Sequence, residues 1–159
     1  VECVEAVQRQ AAPRGHLVLL DPRGRRLTQA VVEELIRHPR LILVCGRYEG
    51  VDQRVIDILQ PDPISVGDYI LSGGEVAAMV VIDATVRLLP GVLGDATSNQ
   101  QDSFSNPERL LEHAQYTRPR QYRGYPVPDV LLSGNHQEIT RWRKQQSLDR
   151  TRARRGQRH

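Results

Sequence analysis

Two glycine-dense segments could bring the main chain close to a ligand. They are CGRYEG, residues 45–50, and SVGDYILSGGE, residues 65–75, and each accompanies a strand-like run. Glycine permits close approach of the backbone, and ligands of open α/β sheets bind beyond the carboxyl ends of the strands. Either segment alone is typical of a tight strand-to-helix turn. Their succession along the chain predicts a ligand cleft built largely from main chain.

Several familiar catalytic motifs are missing, and their absence narrows the classes of ligand and reaction that the sequence supports. The sequence contains no G-x-x-x-x-G-K-[ST], no G-x-G-x-x-G after a strand and no G-x-S-x-G. These absences weaken the nucleoside triphosphate, dinucleotide and serine hydrolase interpretations. The five histidines are scattered and no Cys/His cluster occurs, so we predict no metal-ligand set, while assistance by magnesium stays open.

The basic side chains are concentrated toward the end of the chain. Residues 1–105 carry ten basic and fourteen acidic side chains, a balance of −4, whereas residues 106–159 carry twelve and five, a balance of +7. All but one of the 22 cations are arginine, whose planar fork suits phosphate oxygens. This asymmetry predicts a polyanionic partner, with nucleic acid as the first candidate.

Hydrophobic periodicity predicts the elements that would position these segments. We expect a strand at 16–20 with a turn at 21–24, a helix at 28–36, a strand at 41–45 buried on both faces, a short helix at 51–59, a strand at 64–71 and a buried helix at 75–89. This alternation predicts an α/β fold with a parallel sheet. Periodicity is then lost until a basic helical segment near 136–155.

Length and composition set the remaining expectations. The 159 residues fit one domain with a small appendage. The chain has only two cysteines, Cys3 and Cys45, no apolar run of the ~18 residues that a membrane span needs and no basic, apolar export signal at its start. These features predict a cytoplasmic protein.

Ordered blocks along the chain resemble one enzyme family. They are LILVCGRYEGVDQRV, ISVGDYILSGGE, VIDATVRLLPGVLG, DSF, QYTRP, VLLSGNHQEITRWR and LDRTRARR. In this order they are similar to the bacterial tRNA (guanine-N1)-methyltransferases of the SPOUT superfamily. The resemblance implies an α/β domain with a deep trefoil knot, a rare exception to unknotted topology. It also implies S-adenosylmethionine-dependent methylation of N1 of guanine 37 in tRNA, 3′ to the anticodon, by a homodimer whose active site is shared between subunits.

The resemblance divides the chain into a knotted cofactor-binding domain at 1–94, a linker at 95–108 and a helical, basic tRNA-binding domain at 109–159. It implies that the cofactor is held mostly by backbone of three loops. The residues implied are Leu20, Asp21, Pro22, Gly46, Tyr48, Glu49, Val66, Gly67, Tyr69, Leu71, Gly73 and Gly74. Asp21 departs from the small polar residue that the family usually has there.

Roles in catalysis and RNA binding also follow from the resemblance. Asp102 of the DSF block is implied as the general base at guanine N1, and Arg87 as the group that stabilises charge on the guanine. The residues implied to bind tRNA are Asn135, His136, Arg141, Arg143 and Lys144.

The chain departs from the family at both ends. Nothing matches the family's first strand and following glycine-rich loop, and the C-terminal domain stops early, so we expect a trimmed form of the enzyme. A non-catalytic RNA-binding fragment is therefore the alternative, although it would not need the two glycine segments. A metal-independent hydrolase using Asp102 and His136 ranks last, because no nucleophile motif accompanies them.

Overall fold

A computed structural model describes residues 1–47, 50–92 and 102–157 and separates the chain into two compact units, residues 1–96 and 97–159. The first unit contains α1 (Glu2–Arg9), β1 (His16–Arg26), α2 (Gln29–Leu35), β2 (Leu41–Cys45), α3 (Gln53–Leu59), β3 (Asp62–Ser65) and α4 (Gly74–Val86). The second contains β4 (Gln121–Tyr122), β5 (Tyr125–Pro126), α5 (Asp129–Leu132) and α6 (His136–Gly156).

The first unit is built on a three-stranded parallel sheet in the order β2-β1-β3. The predicted α/β class with a parallel sheet is therefore confirmed. The first five residues of β1 pair one to one with β2, from His16 with Leu41 to Leu20 with Cys45. The expectation that β2 is buried on both faces is wrong for the described chain. This strand lies at the sheet edge and its side chains are half-buried or exposed.

The turn predicted at 21–24 is replaced by a bulge within a longer strand. Both Leu20 and Arg25 pair with Ile64 of β3, so the four residues between them lie outside the regular ladder. Gly24 comes very close to β3, because a Cβ at this position would lie 2.4 Å from the carbonyl carbon of Pro63. The sequence prediction ended the strand at Leu20 because the apolar run ends there, but pairing with β3 resumes at Arg25 and Arg26.

The third strand and the last helix also differ from their predictions. β3 begins two residues earlier than expected and ends at Ser65, and residues 66–73 form an irregular loop rather than strand. α4 ends three residues before the predicted end at 89. The helix is buried on one side only, since apolar side chains on its other side are exposed: Val76, Met79, Val80, Ile82 and Val86.

The core forms where α2 and α4 pack on the sheet. Thr28 caps α2 by accepting a hydrogen bond from the Val31 N–H, as its position before the helix predicts. The buried cluster consists of Val18, Leu20, Leu35, Ile64, Ala77, Ala78 and Val81. Full burial of each large aliphatic side chain contributes about 1.5–3 kcal/mol, so this cluster is the main support of the sheet edge that carries the loops.

The sequence predictions did not include α1, the β4–β5 hairpin or the short helix α5. α1 is anchored by Arg40, which donates to the carbonyls of Val7 and Ala11 at 2.7 and 2.6 Å, and by a reciprocal pair of bonds between Gln8 and Gly15. The two-residue strands of the β4–β5 hairpin are too short to produce an alternating pattern. In contrast, the predicted basic helix is present as α6.

The predicted linker at 95–108 falls partly outside the described residues, so its bounds stay a prediction. Its described part makes turns that are bonded within the second unit. The Phe104 N–H donates to the Leu110 carbonyl at 2.8 Å, and the ring of Phe104 lies 4.9 Å from the Arg154 guanidinium. Across residues 1–47, 50–92 and 102–157, no helix combines the length and hydrophobicity that crossing a membrane requires.

Candidate functional site

A cavity of about 420 Å³ opens at the carboxyl edge of the parallel sheet in the first unit. Ten of the twelve residues predicted to bind the cofactor line it: Leu20, Asp21, Pro22, Gly46, Val66, Gly67, Tyr69, Leu71, Gly73 and Gly74. The other two, Tyr48 and Glu49, lie outside the described residues. The structure thus brings three sequence-distant loops to one cavity, within the 300–1,000 Å³ typical of ligand sites.

Main-chain contact holds the loop after β2 against the start of α4. The Gly74 N–H donates to the Gly46 carbonyl at 2.9 Å, and Arg47 pairs with Gly73 in an isolated bridge. A Cβ on Gly74 would lie 2.7 Å from the Cα of Cys45, so only glycine permits this approach. The cavity wall is therefore formed largely by backbone, which offers N–H and C=O groups to a ligand.

The irregular loop after β3 is shaped by a buried serine that the sequence predictions missed. The hydroxyl of Ser65 donates to the Gly67 carbonyl at 3.0 Å and accepts from the Gly67 N–H at 3.2 Å. Ser65, together with Arg23 and Ala77, lines the cavity. The signal available beforehand was the serine placed directly before Val-Gly, since such hydroxyls commonly bond to backbone two residues away.

Asp21 is a buried carboxylate in the cavity wall and is clasped by Arg23. Its side chain is only 8% exposed, and it accepts from the Arg23 backbone N–H, Nε and Nη2 at 2.8, 2.9 and 2.7 Å. Hydrogen bonds from the Arg23 side chain are the largest cause of a lowered pKa for Asp21, and burial acts in the opposite direction. The carboxylate is thus held ionised in the cavity wall.

Asp21→Asn is expected to lower stability near neutral pH by an amount of order 1 kcal/mol, because it removes a charge-assisted clasp. A lowered folded-state pKa means that the clasp contributes fully above the unfolded value of about 3.9 and is lost as pH falls through the folded value. Thermal melting of both proteins from pH 7 to pH 2.5 measures this. We expect the difference in Tm to shrink at the acid end.

Asp52→Asn is a matched control, because Asp52 and Arg54 form the same clasp at the start of α3 with a half-exposed carboxylate. Solvent screening makes exposed pairs weak, so the Asp52 variant should change Tm less than the Asp21 variant does. A Tm difference for Asp21→Asn that persisted undiminished at pH 2.5 would show that the effect comes from packing rather than from charge.

In the second unit Asp102 lies in a separate cavity of about 300 Å³, here named the Asp102 cavity. Its lining includes His113 and Thr140, together with two predicted tRNA-binding residues, Arg143 and Lys144. Arg87, the other predicted catalytic residue, belongs to the first unit, where it caps the carboxyl end of α4. The structure therefore places Asp102 beside cationic side chains that the sequence predictions had treated separately.

The other predicted tRNA-binding residues lie at the start of α6 and on its exposed surface. Asn135 is the N-cap, since its side-chain oxygen accepts from the N–H groups of Gln137 and Glu138 at 3.2 and 3.4 Å. His136 and Arg141 are exposed. The Asn135 oxygen thus has a structural task, which leaves its amide N–H₂ as the part of the side chain suited to an RNA acceptor.

Comparison with known proteins gives one consistent result. The family described as tRNA (Guanine-1)-methyltransferase TrmD matches residues 1–158. Proteins named tRNA (guanine-N(1)-)-methyltransferase are similar to this chain. That of Rhodopirellula baltica is 58% identical over 95% of the chain and 62% of its own length. That of Dehalococcoides mccartyi is 56% identical over 97% and 61%, and that of Anaeromyxobacter sp. is 54% identical over 98% and 62%. The chain spans about three fifths of the length of these curated relatives.

Proposed function

The chain belongs to the tRNA (guanine-1)-methyltransferase family, and from that membership we propose that it methylates N1 of guanine 37 in tRNA, 3′ to the anticodon, using S-adenosylmethionine. One observation carries the proposal beyond family membership. Ten residues expected to hold the cofactor, drawn from three loops, line one cavity at the sheet edge where α/β proteins bind ligands.

The residues of the cavity fit S-adenosylmethionine. Apolar side chains of Leu20, Val66 and Leu71 offer walls for a flat adenine ring, and the glycine-rich backbone offers hydrogen bonds at close range. A Cβ on Gly67 or Gly73 would collide with neighbouring side chains at 2.3 and 2.2 Å. The lack of a side chain at these glycines therefore allows the loops to pack closely. When bound, S-adenosylmethionine would supply the electrophilic methyl group.

We assign the proton transfer to Asp102. Guanine N1 carries a weakly acidic proton, so a carboxylate that accepts it increases the nucleophilicity of N1 as the methyl group is transferred. Arg143 and Lys144 line the same cavity as Asp102 and contribute positive charge to it, while Glu112 contributes a second carboxylate. Arg87 is proposed to stabilise negative charge that develops on guanine O6.

The basic α6 is proposed to bind the anticodon stem-loop. Arg141, Arg143 and Lys144 project from a helix whose residues are mostly exposed, as phosphate contacts require. They belong to residues 106–159, which carry the net balance of +7 noted above, and an arginine fork binds two phosphate oxygens at once.

We also propose that the α/β domain contains the trefoil knot. Its support is the central position of β1 in the order β2-β1-β3 and the bonding of the loop after β2 to the residues that begin α4. These contacts bring the loop after β2 and the start of α4 together at the cavity, which supports the proposal.

A second copy of the chain is proposed to cover the exposed apolar side of α4. Five aliphatic or Met side chains of this helix are exposed, and Met79 is 67% exposed. A continuous apolar surface of this kind on a helix is typical of protein interfaces. In the proposed homodimer, Asp102 of one subunit serves the cofactor held mainly by the other.

Met79→Glu is expected to convert the dimer to a monomer, because it would place a charge in the apolar contact without a partner. Sedimentation velocity at micromolar concentration measures the change. Ile58→Glu is the matched control, since Ile58 is similarly exposed but lies on α3, and it should leave the dimer intact. A wild-type chain that sediments as a monomer at all concentrations would contradict the homodimer.

The direct test of the function is transfer of a labelled methyl group from S-adenosylmethionine to a tRNA transcript with guanine at position 37, followed by nucleoside analysis. We expect N1-methylguanosine from this transcript and none when position 37 is adenine. Binding of tRNA without binding of S-adenosylmethionine in calorimetry would instead support the alternative of a non-catalytic RNA-binding fragment.

A further inference from the structure

A third cavity, of about 380 Å³, lies in the second unit and is here named the arginine cavity. Three of its lining residues are cationic, Arg118, Arg120 and Arg143, while Val127, Leu131 and Leu132 supply apolar surface. Apolar walls with a few charged groups are typical of ligand sites. The cavity therefore offers surface for a flat apolar group and for an anion together.

Several residues that line the arginine cavity lie on or next to secondary structure elements. Arg120 and Val127 flank the β4–β5 hairpin, and the Val127 N–H donates to the Arg120 carbonyl at 2.8 Å. Leu131 and Leu132 are on α5. Because these residues sit on a hairpin base and a helical turn, the cavity is formed before any ligand arrives.

A partly exposed aromatic side chain, Tyr116, also lines the arginine cavity. Tyr116 is 48% exposed, and its ring centroid lies 6.3 Å from that of the half-buried Trp142 at an interplanar angle of 54°. Trp142 therefore supports Tyr116 from the protein side. Exposed aromatic rings backed in this way are the platforms on which unpaired bases stack.

The charges of the arginine cavity suit a phosphate. Arg120 forms an ion pair with Asp129 at 3.2 Å. Within the described part of the chain, neither Arg118 nor Arg143 forms an ion pair. Two arginines near an aromatic ring match the phosphate and base of one nucleotide, whereas an acidic peptide would use the charges and leave the ring without a role.

The arginine cavity adjoins the Asp102 cavity, since His113 and Arg143 line both. We propose that the arginine cavity binds the unpaired nucleotide next to the target guanine in the RNA. Its base stacks on Tyr116 and its phosphate lies between Arg118 and Arg143. This inference rests on the proposed function, because it takes the target guanine to lie against Asp102.

The experiment uses the 159-residue chain and an anticodon stem-loop RNA that carries 2-aminopurine immediately 5′ or immediately 3′ of the target guanine. Stacking on an aromatic ring quenches the fluorescence of 2-aminopurine. We expect quenching on binding at one of the two positions with the wild type and with Tyr116→Phe, and its loss with Tyr116→Leu. The Tyr116→Leu variant should also bind unmodified RNA about tenfold more weakly.

Two further variants distinguish loss of the nucleotide site from a general loss of folding. Tyr125→Leu is the matched control, because Tyr125 is 81% exposed in the same unit but does not line the cavity, and it should retain the quenching. Arg118→Gln alters an exposed side chain, and removal of one phosphate contact should reduce the slope of log affinity against log salt by about 1.

Quenching that persists at full strength in Tyr116→Leu, or a salt slope unchanged by Arg118→Gln, would overturn the nucleotide site while leaving the proposed function intact. A stem-loop with an abasic nucleotide at the quenched position should bind wild type and Tyr116→Leu equally. Failure of every protein, including the wild type, to bind any stem-loop would overturn the proposed function and the nucleotide site together.

Discussion

Replacing Asp102 with alanine is expected to lower the single-turnover rate of methyl transfer by about 10²–10⁴, the usual contribution of a positioned general base. The proton on guanine N1 would then have to pass to water while the methyl group is transferred. Affinity for S-adenosylmethionine should change little, because the proposed cofactor cavity is in the other unit. Quench-flow with saturating tRNA and calorimetry with the cofactor measure the two quantities separately.

Asp149→Ala is the matched control for Asp102→Ala. Asp149 is an exposed carboxylate of α6 that accepts from the Gln145 amide at 2.9 Å and lines neither cavity of its unit, so the rate should be unchanged. Arg87→Ala should also slow transfer, and its effect should combine with that of Asp102→Ala less than additively if both groups act in one transition state. A near-normal rate for Asp102→Ala would remove Asp102 from the mechanism.

Gly73→Val is expected to weaken S-adenosylmethionine binding by at least about 100-fold, because displacing the groups that contact this glycine reshapes the cavity wall. A Cβ at Gly73 would meet the Glu75 carboxylate at 2.2 Å and the Arg47 Cγ at 3.3 Å. Both are side-chain atoms that can move, so the fold should survive. Calorimetry reports the affinity, and thermal melting reports whether the variant is folded.

Gly156→Val carries the same substitution at a glycine of α6 with no neighbour within 4 Å of an added Cβ. It should bind S-adenosylmethionine as the wild type does. If a folded Gly73→Val protein also retained wild-type affinity, the cofactor would have to bind elsewhere than in the cavity at the sheet edge.

The parts of the first unit that were predictable are those fixed by local signals. Thr28 before an apolar helix face, and five consecutive apolar residues at Leu41–Cys45, each specify one element with little help from the rest of the chain. Ten of the residues that the resemblance implies for the cofactor line one cavity, because ordered family blocks carry information on which loops meet. Their role toward the cofactor stays a prediction.

The parts that were missed depend on contacts between distant residues. The run at 64–71 reads as strand, but only Asp62–Ser65 has a partner in β1, and the Ser65–Gly67 bonds turn the chain away. Arg40 anchors α1 from 33 residues away, which no local pattern of α1 reveals. In the second unit, Arg143 joins two cavities that no spacing rule connects.

In β1, the bulged residues shape the cavity wall, while the residues on either side of the bulge maintain the pairing of the sheet. Leu20 and Arg25 share one partner on β3, and Asp21, Pro22 and Arg23 line the cavity between these anchors. An insertion or deletion among these residues would change the shape of the wall, while the pairing on either side keeps its register. Ligand preference can thus diverge through changes in loop length at this point without a new sheet having to evolve.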